Sequence, residues 1–191
     1  MNLQKGKIIV ITAPSGAGKT TITKYLMQQF PDLSFSVSAT TREKRSNETD
    51  GKDYYFISKD DFEKKIREDA FLEWEMVYEG TYYGTLTSEI HNIWQQQRVP
   101  LLDIDVQGAL NVKRLFPEET ITIFIAPPSV DVLKERLINR GTDSLASIEK
   151  RISKATDEMK YMQSFDKIIL NEQLEKACKD TGEIISLFLQ D

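Results

Sequence analysis

The stretch APSGAGKT, Ala13 to Thr20, constrains this chain more than any other. The β-branched run KIIVIT (7–12) precedes it and a helical pattern follows from about Lys19, so the segment reads as strand, glycine-containing turn and helix start. It differs by one letter from the phosphate-loop pattern G-x-x-x-x-G-K-[ST], which asks for glycine where Ala13 stands. Alanine is tolerable there if its φ is negative, because only a positive φ penalises a Cβ. In such a loop the backbone N–H groups from Ser15 to Thr20 converge on phosphate oxygens at the positive end of a helix dipole. Gly16 and Gly18 let the backbone turn, Lys19 bridges the β- and γ-phosphates, and Thr20 ligates Mg²⁺. The loop alone implies a bound nucleoside triphosphate.

The 191 residues suffice for one well-filled core with a lid or small insert, which predicts a single domain over 1–191. Hydrophobic residues at 40% and charged residues at 29% are ordinary for a soluble protein. No run approaches the roughly 20 apolar residues of a membrane span, and the start MNLQKGKIIVIT lacks a secretion signal. A cytoplasmic location is expected, with no membrane partner. The net charge of −5 argues against a broad nucleic-acid surface while leaving room for a local basic pocket. Cys178 is expected to be buried on a C-terminal helix, and the lone His91 is given no role. Oligomeric state is left open.

Apolar runs without strict alternation recur at KIIVIT, FSVSAT (35–40), VPLLDID (99–105), TITIFIA (120–126) and KIIL (167–170), as for strands covered on both faces. Helical stripes lie between them: Ile22, Tyr25, Leu26 and Phe30; then Ile148, Ile152, Ala155, Met159 and Met162; then Leu174 to Phe188. The alternation predicts an α/β fold with a parallel sheet flanked by helices. Residues 38–98 break the pattern with a polar segment, an aromatic run and a helix start at Ser58 with Asp61 at capping-box spacing. They are expected to form an insert on a core of 1–37 and 99–191.

Asp103 and Asp105 end a hydrophobic strand, where ligands bind in parallel sheets, so either could order a magnesium shell; Asp103 is the choice. DVQG (105–108) is similar to the D-x-x-G of a GTPase switch, but the guanine-reading N-K-x-D occurs nowhere in the chain.

The fragments FSVSATTREKR, DGKDYYF, FLEWEMV, YYGT, LDIDVQG, IAPPS, LKERLINRGTD and ILN occur in order. Through them the sequence resembles the guanylate kinases over about nine-tenths of its length. The resemblance implies a P-loop kinase core with a small, mostly antiparallel GMP-binding insert and a helical lid at about 136–151. ATP is then expected on Ala13, Pro14, Ser15, Gly16, Ala17, Gly18, Lys19, Thr20 and Thr21, with Asn171 near the adenine. It further implies that Arg42, Arg45, Tyr54 and Tyr83 hold the GMP phosphate, with Ser38, Glu73, Thr85 and Asp105 around the guanine. One carboxylate, Glu73, can accept from guanine N1–H and N2–H₂, and adenine lacks that donor pair. Lys19, Arg42, Arg136, Arg140 and Arg151 are the implied catalytic cations, with Mg²⁺ as cofactor, and dGMP is a further expected substrate. Guanylate-kinase-like peptide-binding scaffolds carry a degraded loop, whereas Gly18, Lys19 and Thr20 are intact here. Lys44 and Asn47 depart from the family pattern, which has proline and glycine there.

Overall fold

A computed structural model describes residues 6–46, 48–139 and 145–190. Asn47 and Arg140 lie outside the described residues, as do residues 141–144 of the expected lid. In chain order, β1 (Ile8–Thr12) leads to α1 (Lys19–Gln29) and β2 (Leu33–Phe35). Then come β3 (Ala39–Thr40), β4 (Tyr55–Phe56), α2 (Lys59–Arg67), β5 (Phe71–Tyr78) and β6 (Thr81–Leu86). The chain continues through α3 (Thr87–Gln95), β7 (Val99–Asp103), α4 (Val106–Leu115), β8 (Thr120–Ala126) and α5 (Val130–Asn139), and closes with α6 (Leu145–Met159), β9 (Lys167–Leu170) and α7 (Leu174–Gln190).

Five strands form a parallel sheet in the order β2-β7-β1-β8-β9. Every residue of β1 and β8 is buried, as suits uncharged, β-branched runs in strands covered on both faces. Alternation along β1 splits the core: Ile9 and Ile11 join Leu26, Leu133, Ala155 and Ile185 from α1, α5, α6 and α7. Ile8 and Val10 turn the other way, to Ile90 of α3 and Val106, Ala109 and Val112 of α4. Helix α3 therefore belongs to the layer on the main sheet, although the sequence placed it in the insert. Among the described residues no helix is long and apolar enough to cross a membrane.

A second sheet, in the order β4-β3-β6-β5, has two antiparallel pairings and one parallel pairing, β3 with β4. Its own small core is Phe62 of α2, fully buried and stacked on Phe71 at 4.3 Å and Tyr82 at 5.3 Å. Burying that ring contributes about 2–3 kcal/mol. Helix α2 starts as its sequence predicts, with the Ser58 hydroxyl accepting from the Asp61 N–H at 3.0 Å, a cap worth about 1 kcal/mol.

The run FSVSAT is not one strand. The Ser36 N–H bonds Leu101 of the main sheet at 3.0 Å, while the Ser38 carbonyl accepts from Tyr55 of the second sheet at 2.9 Å. The chain changes sheets within three residues, which puts Ser38 at the junction. Met162 likewise leaves its expected helix for a separate 3₁₀ turn, Met162–Ser164. Cys178 is buried, and burial pushes its thiol pKa up.

Candidate active site

A cleft of about 900 Å³ lies between the two sheets. Its core wall is the turn from β1 to α1. Gly16 and Gly18 hold φ of 93° and 98°, and Gly18 is the left-handed cap from which α1 starts. Among the described non-glycine residues only Asp69 and Gln97 have positive φ, so Ala13 keeps an ordinary backbone, and it joins the apolar cluster of Ile11, Ala17 and Leu137. The apparent defect in the loop is thus a core contact.

Pro14, Ser15, Gly16, Gly18, Lys19, Thr20 and Thr21 line the cleft with Ala13. Ala17 does not; it is fully buried beneath the loop, and its carbonyl accepts from Asn171 Nδ2 at 2.7 Å. Asn171, at the end of β9, is 3% exposed and stands behind the loop as a support. Its carbonyl in turn accepts from Arg136 Nη2 at 2.9 Å, tying α5 to the same brace. Lys19 is ion-paired with Asp103 at the end of β7. Burial is the largest single influence on the Lys19 pKa and pulls it down, but Asp103, joined by Tyr54 and Glu158, makes the net shift upward.

Asp103 and Asp105 both face the cleft, from different elements. β7 ends at Asp103, and Asp105 caps α4, its Oδ1 accepting from the Gly108 N–H at 2.9 Å. The outer rim comes from α5 and α6, where Arg136, Leu137, Arg151, Lys154 and Glu158 face inward. Arg151 Nη1 reaches Ser15 Oγ at 2.9 Å and so closes α6 onto the phosphate loop.

The insert supplies the facing wall: Ser38, Arg45, Tyr54, Glu73, Glu75, Val77, Tyr83 and Gly84. Glu73 and Thr85 are direct cross-strand partners on β5 and β6. Glu73 Oε1 accepts from both the Thr85 N–H at 2.9 Å and its hydroxyl at 2.6 Å. The other oxygen, Oε2, lies over the start of α4, where a Cβ on Gly108 would stand only 2.5 Å away. Glu73 is 7% exposed, and burial pushes its carboxyl up to about 7 against the pull of the Thr85 hydrogen bonds. Thr85 itself is fully buried and serves the cleft through Glu73 instead of facing it. Arg42 is also absent from the lining: its guanidinium is turned onto Glu48, with the aromatic faces of Tyr54 and Phe56 beside it.

Sequence reasoning missed Glu48, Gly108, Glu75, Lys154 and Glu158. Lys154 and Glu158 follow Arg151 by three and seven positions on α6, a spacing that shares one helix face and could have found them. For Glu48, inside a polar loop, no periodic signal exists.

The guanylate kinase family model matches residues 5–187. The chain is 48% identical over 184 residues to the guanylate kinase of Chlorobium chlorochromatii, covering 96% of each chain. It is 42% identical to that of Bacteroides fragilis, covering 97% of this chain and 91% of the relative. Among solved structures, the crystal structure of guanylate kinase from Anaplasma phagocytophilum superposes with a TM-score of 0.78 at 28% identity, covering 95% of this chain and 85% of that one. A phosphate loop facing a buried carboxylate across one cleft, with a match over nearly the whole length, makes the chain a member of the guanylate kinase family.

Proposed function

We infer that the protein transfers the γ-phosphoryl group of ATP to GMP, giving ADP and GDP. The observation that carries this reading is Glu73, a buried carboxylate with one oxygen committed to Thr85 and the other without a hydrogen bond among the described residues. Guanine offers N1–H and N2–H₂ side by side to such an oxygen, and the Ser38 hydroxyl can meet O6. Adenine would leave the desolvated carboxylate unpaired, which is the stronger form of discrimination.

ATP then lies on the core wall, its phosphates on the N–H groups of Ser15 to Thr20. Asn171 acts there as a brace for the loop, with the adenine placed near it. GMP lies on the insert wall, its phosphate toward Arg45, Tyr54 and Tyr83, which line the cleft. The acceptor oxygen needs no side-chain base, because a phosphate monoester has a second pKa of about 6. The protein's own part is positioning and charge neutralisation by Lys19, Arg136 and Arg151. Arg140 is assigned to the same set from its place beside Arg136 in the lid sequence.

The Thr20 hydroxyl and the Asp103 carboxylate, both facing the cleft, are hard oxygen donors that fit a Mg²⁺ ion carried in on nucleotide phosphates. Thr20 would hold it directly and Asp103 through its water shell, and its charge would offset that of the transferring phosphates. Insert, core and lid make one domain on this reading, cytoplasmic because its substrates are nucleotides of the cell interior, with dGMP accepted beside GMP.

The test is ADP formation from ATP and Mg²⁺ with GMP, dGMP, AMP, UMP or CMP as acceptor. GMP is expected to be the strongest acceptor. Equal rates with AMP would remove the role given to Glu73, and no turnover with any acceptor would remove the kinase reading.

A further inference from the structure

Glu48 has no part in the reading above, yet its carboxylate is engaged on three sides. Oε1 accepts from Arg42 Nη2 at 2.5 Å, and Oε2 accepts from Arg42 Nη1 at 2.7 Å and from the Arg45 backbone N–H at 2.9 Å. Arg42 Nη1 also donates to the Glu43 carbonyl at 2.9 Å, and Nε donates to Tyr83 Oη at 3.1 Å. Four of the five guanidinium N–H groups are thereby used. The guanidinium carbon sits 5.0 Å from the Tyr54 ring centroid and 5.3 Å from that of Phe56. The Arg42 and Glu48 side chains are only 16% and 11% exposed, so solvent screens the pair weakly.

This arrangement orders the groups that face the cleft. Tyr83 Oη accepts a hydrogen bond from Arg42 Nε, so the phenol's own hydrogen remains available to a phosphate oxygen. Arg45 presents an exposed guanidinium that forms no hydrogen bond or ion pair among the described residues, while its backbone is pinned by Glu48. Arg42, with its charge balanced by Glu48, keeps one guanidinium N–H unused, while the Arg45 guanidinium has no such counter-charge. Glu48 is also held down to about 2, first by the Arg42 hydrogen bonds, so it stays ionised throughout the working pH range.

We propose that Glu48 is a positioning residue for the acceptor phosphate: it locks Arg42 against Tyr54 and Phe56, and Arg42 in turn aims the Tyr83 hydroxyl into the cleft. The role rests on the GMP reading above.

In Glu48→Gln an amide N–H meets an arginine N–H and the fork opens. The variant is expected to raise the KM for GMP about tenfold, with kcat within about threefold and the KM for ATP unchanged. Inhibition by guanosine, which has no phosphate, is expected to stay the same. Glu48→Asp, which keeps the charge, is expected to recover most of the loss, and in an Arg42→Ala background Glu48→Gln is expected to add nothing. An unaltered KM for GMP, an equal loss of guanosine inhibition, or full additivity with Arg42→Ala would overturn the role. If instead the unmodified protein fails to turn over GMP, the parent reading falls and takes this role with it.

Discussion

On the core wall of the cleft a cation, Lys19, is paired with a carboxylate, Asp103; on the insert wall Arg42 is paired with Glu48. The pairs are alike, but the frames behind them differ. Lys19 stands on a helix start whose shape is fixed by backbone, with two glycines at positive φ and an asparagine holding the loop from behind. Arg42 stands in a loop whose backbone bonds, such as Glu48 N–H to the Arg45 carbonyl at 3.1 Å, leave its own guanidinium to be placed by side chains: Glu48, Tyr83, Tyr54 and Phe56. A wall held by backbone should fail all at once when its backbone is disturbed. A wall held by side chains should lose its ligand step by step.

The largest effect is therefore expected from Gly18→Ala. The residue is at φ 98°, where a Cβ is strained and would also collide with Asn171 Nδ2. Steady-state kinetics should show kcat/KM for ATP falling by roughly 10²–10³-fold, since a displacement of even 1 Å at the reacting groups has that scale of consequence. The KM for GMP should hardly move. A parallel loss of GMP affinity would show that the walls are not independent.

A smaller effect is expected from Glu73→Gln. It removes the ionic acceptor of the guanine donors, so the KM for GMP should rise roughly 10–100-fold, the scale of charge-assisted hydrogen bonds. Calorimetric titration with ATP should be unchanged. Comparable loss of ATP binding would refute the division of labour.

Smaller still is a pH effect from the same carboxylate. Burial raises Glu73 to about 7, and guanine N–H donors favour the ionised form, so binding lowers its pKa. Guanosine affinity should thus be level above pH 7 and fall by up to about tenfold per unit below it. Guanosine is the right probe because it carries no phosphate that titrates in that range. A flat profile from pH 5 to 8 would mean that Glu73 does not meet the base.

The same contrast explains what the sequence made legible. The core wall could be read from a strand, a Gly-x-Gly-Lys-Thr turn and a helix, because backbone geometry leaves local traces in residue choice. The insert wall could be assigned only through its resemblance to the guanylate kinases. Glu73 and Thr85 meet by cross-strand register, twelve residues apart, and neither letter announces the pairing. The split of FSVSAT was hidden for a related reason: its apolar pattern runs on while its backbone partners change at Ser36 to Ser38. Arg42 shows that type and place do not disclose a residue's partners. Its type and place fit a phosphate ligand, and no sequence signal announces that two of its donors meet a carboxylate six residues on, a third Tyr83 and a fourth the Glu43 carbonyl.

The division between the walls is tested most directly by a crystal structure of the protein with GMP bound. The account predicts the guanine N1 and N2 edge on Glu73, and the phosphate against Arg45, Tyr54 and Tyr83 with Arg42 still forked to Glu48. A guanine seated over the phosphate loop at Ser15 to Thr20, or Glu73 left without contact to the base, would contradict it.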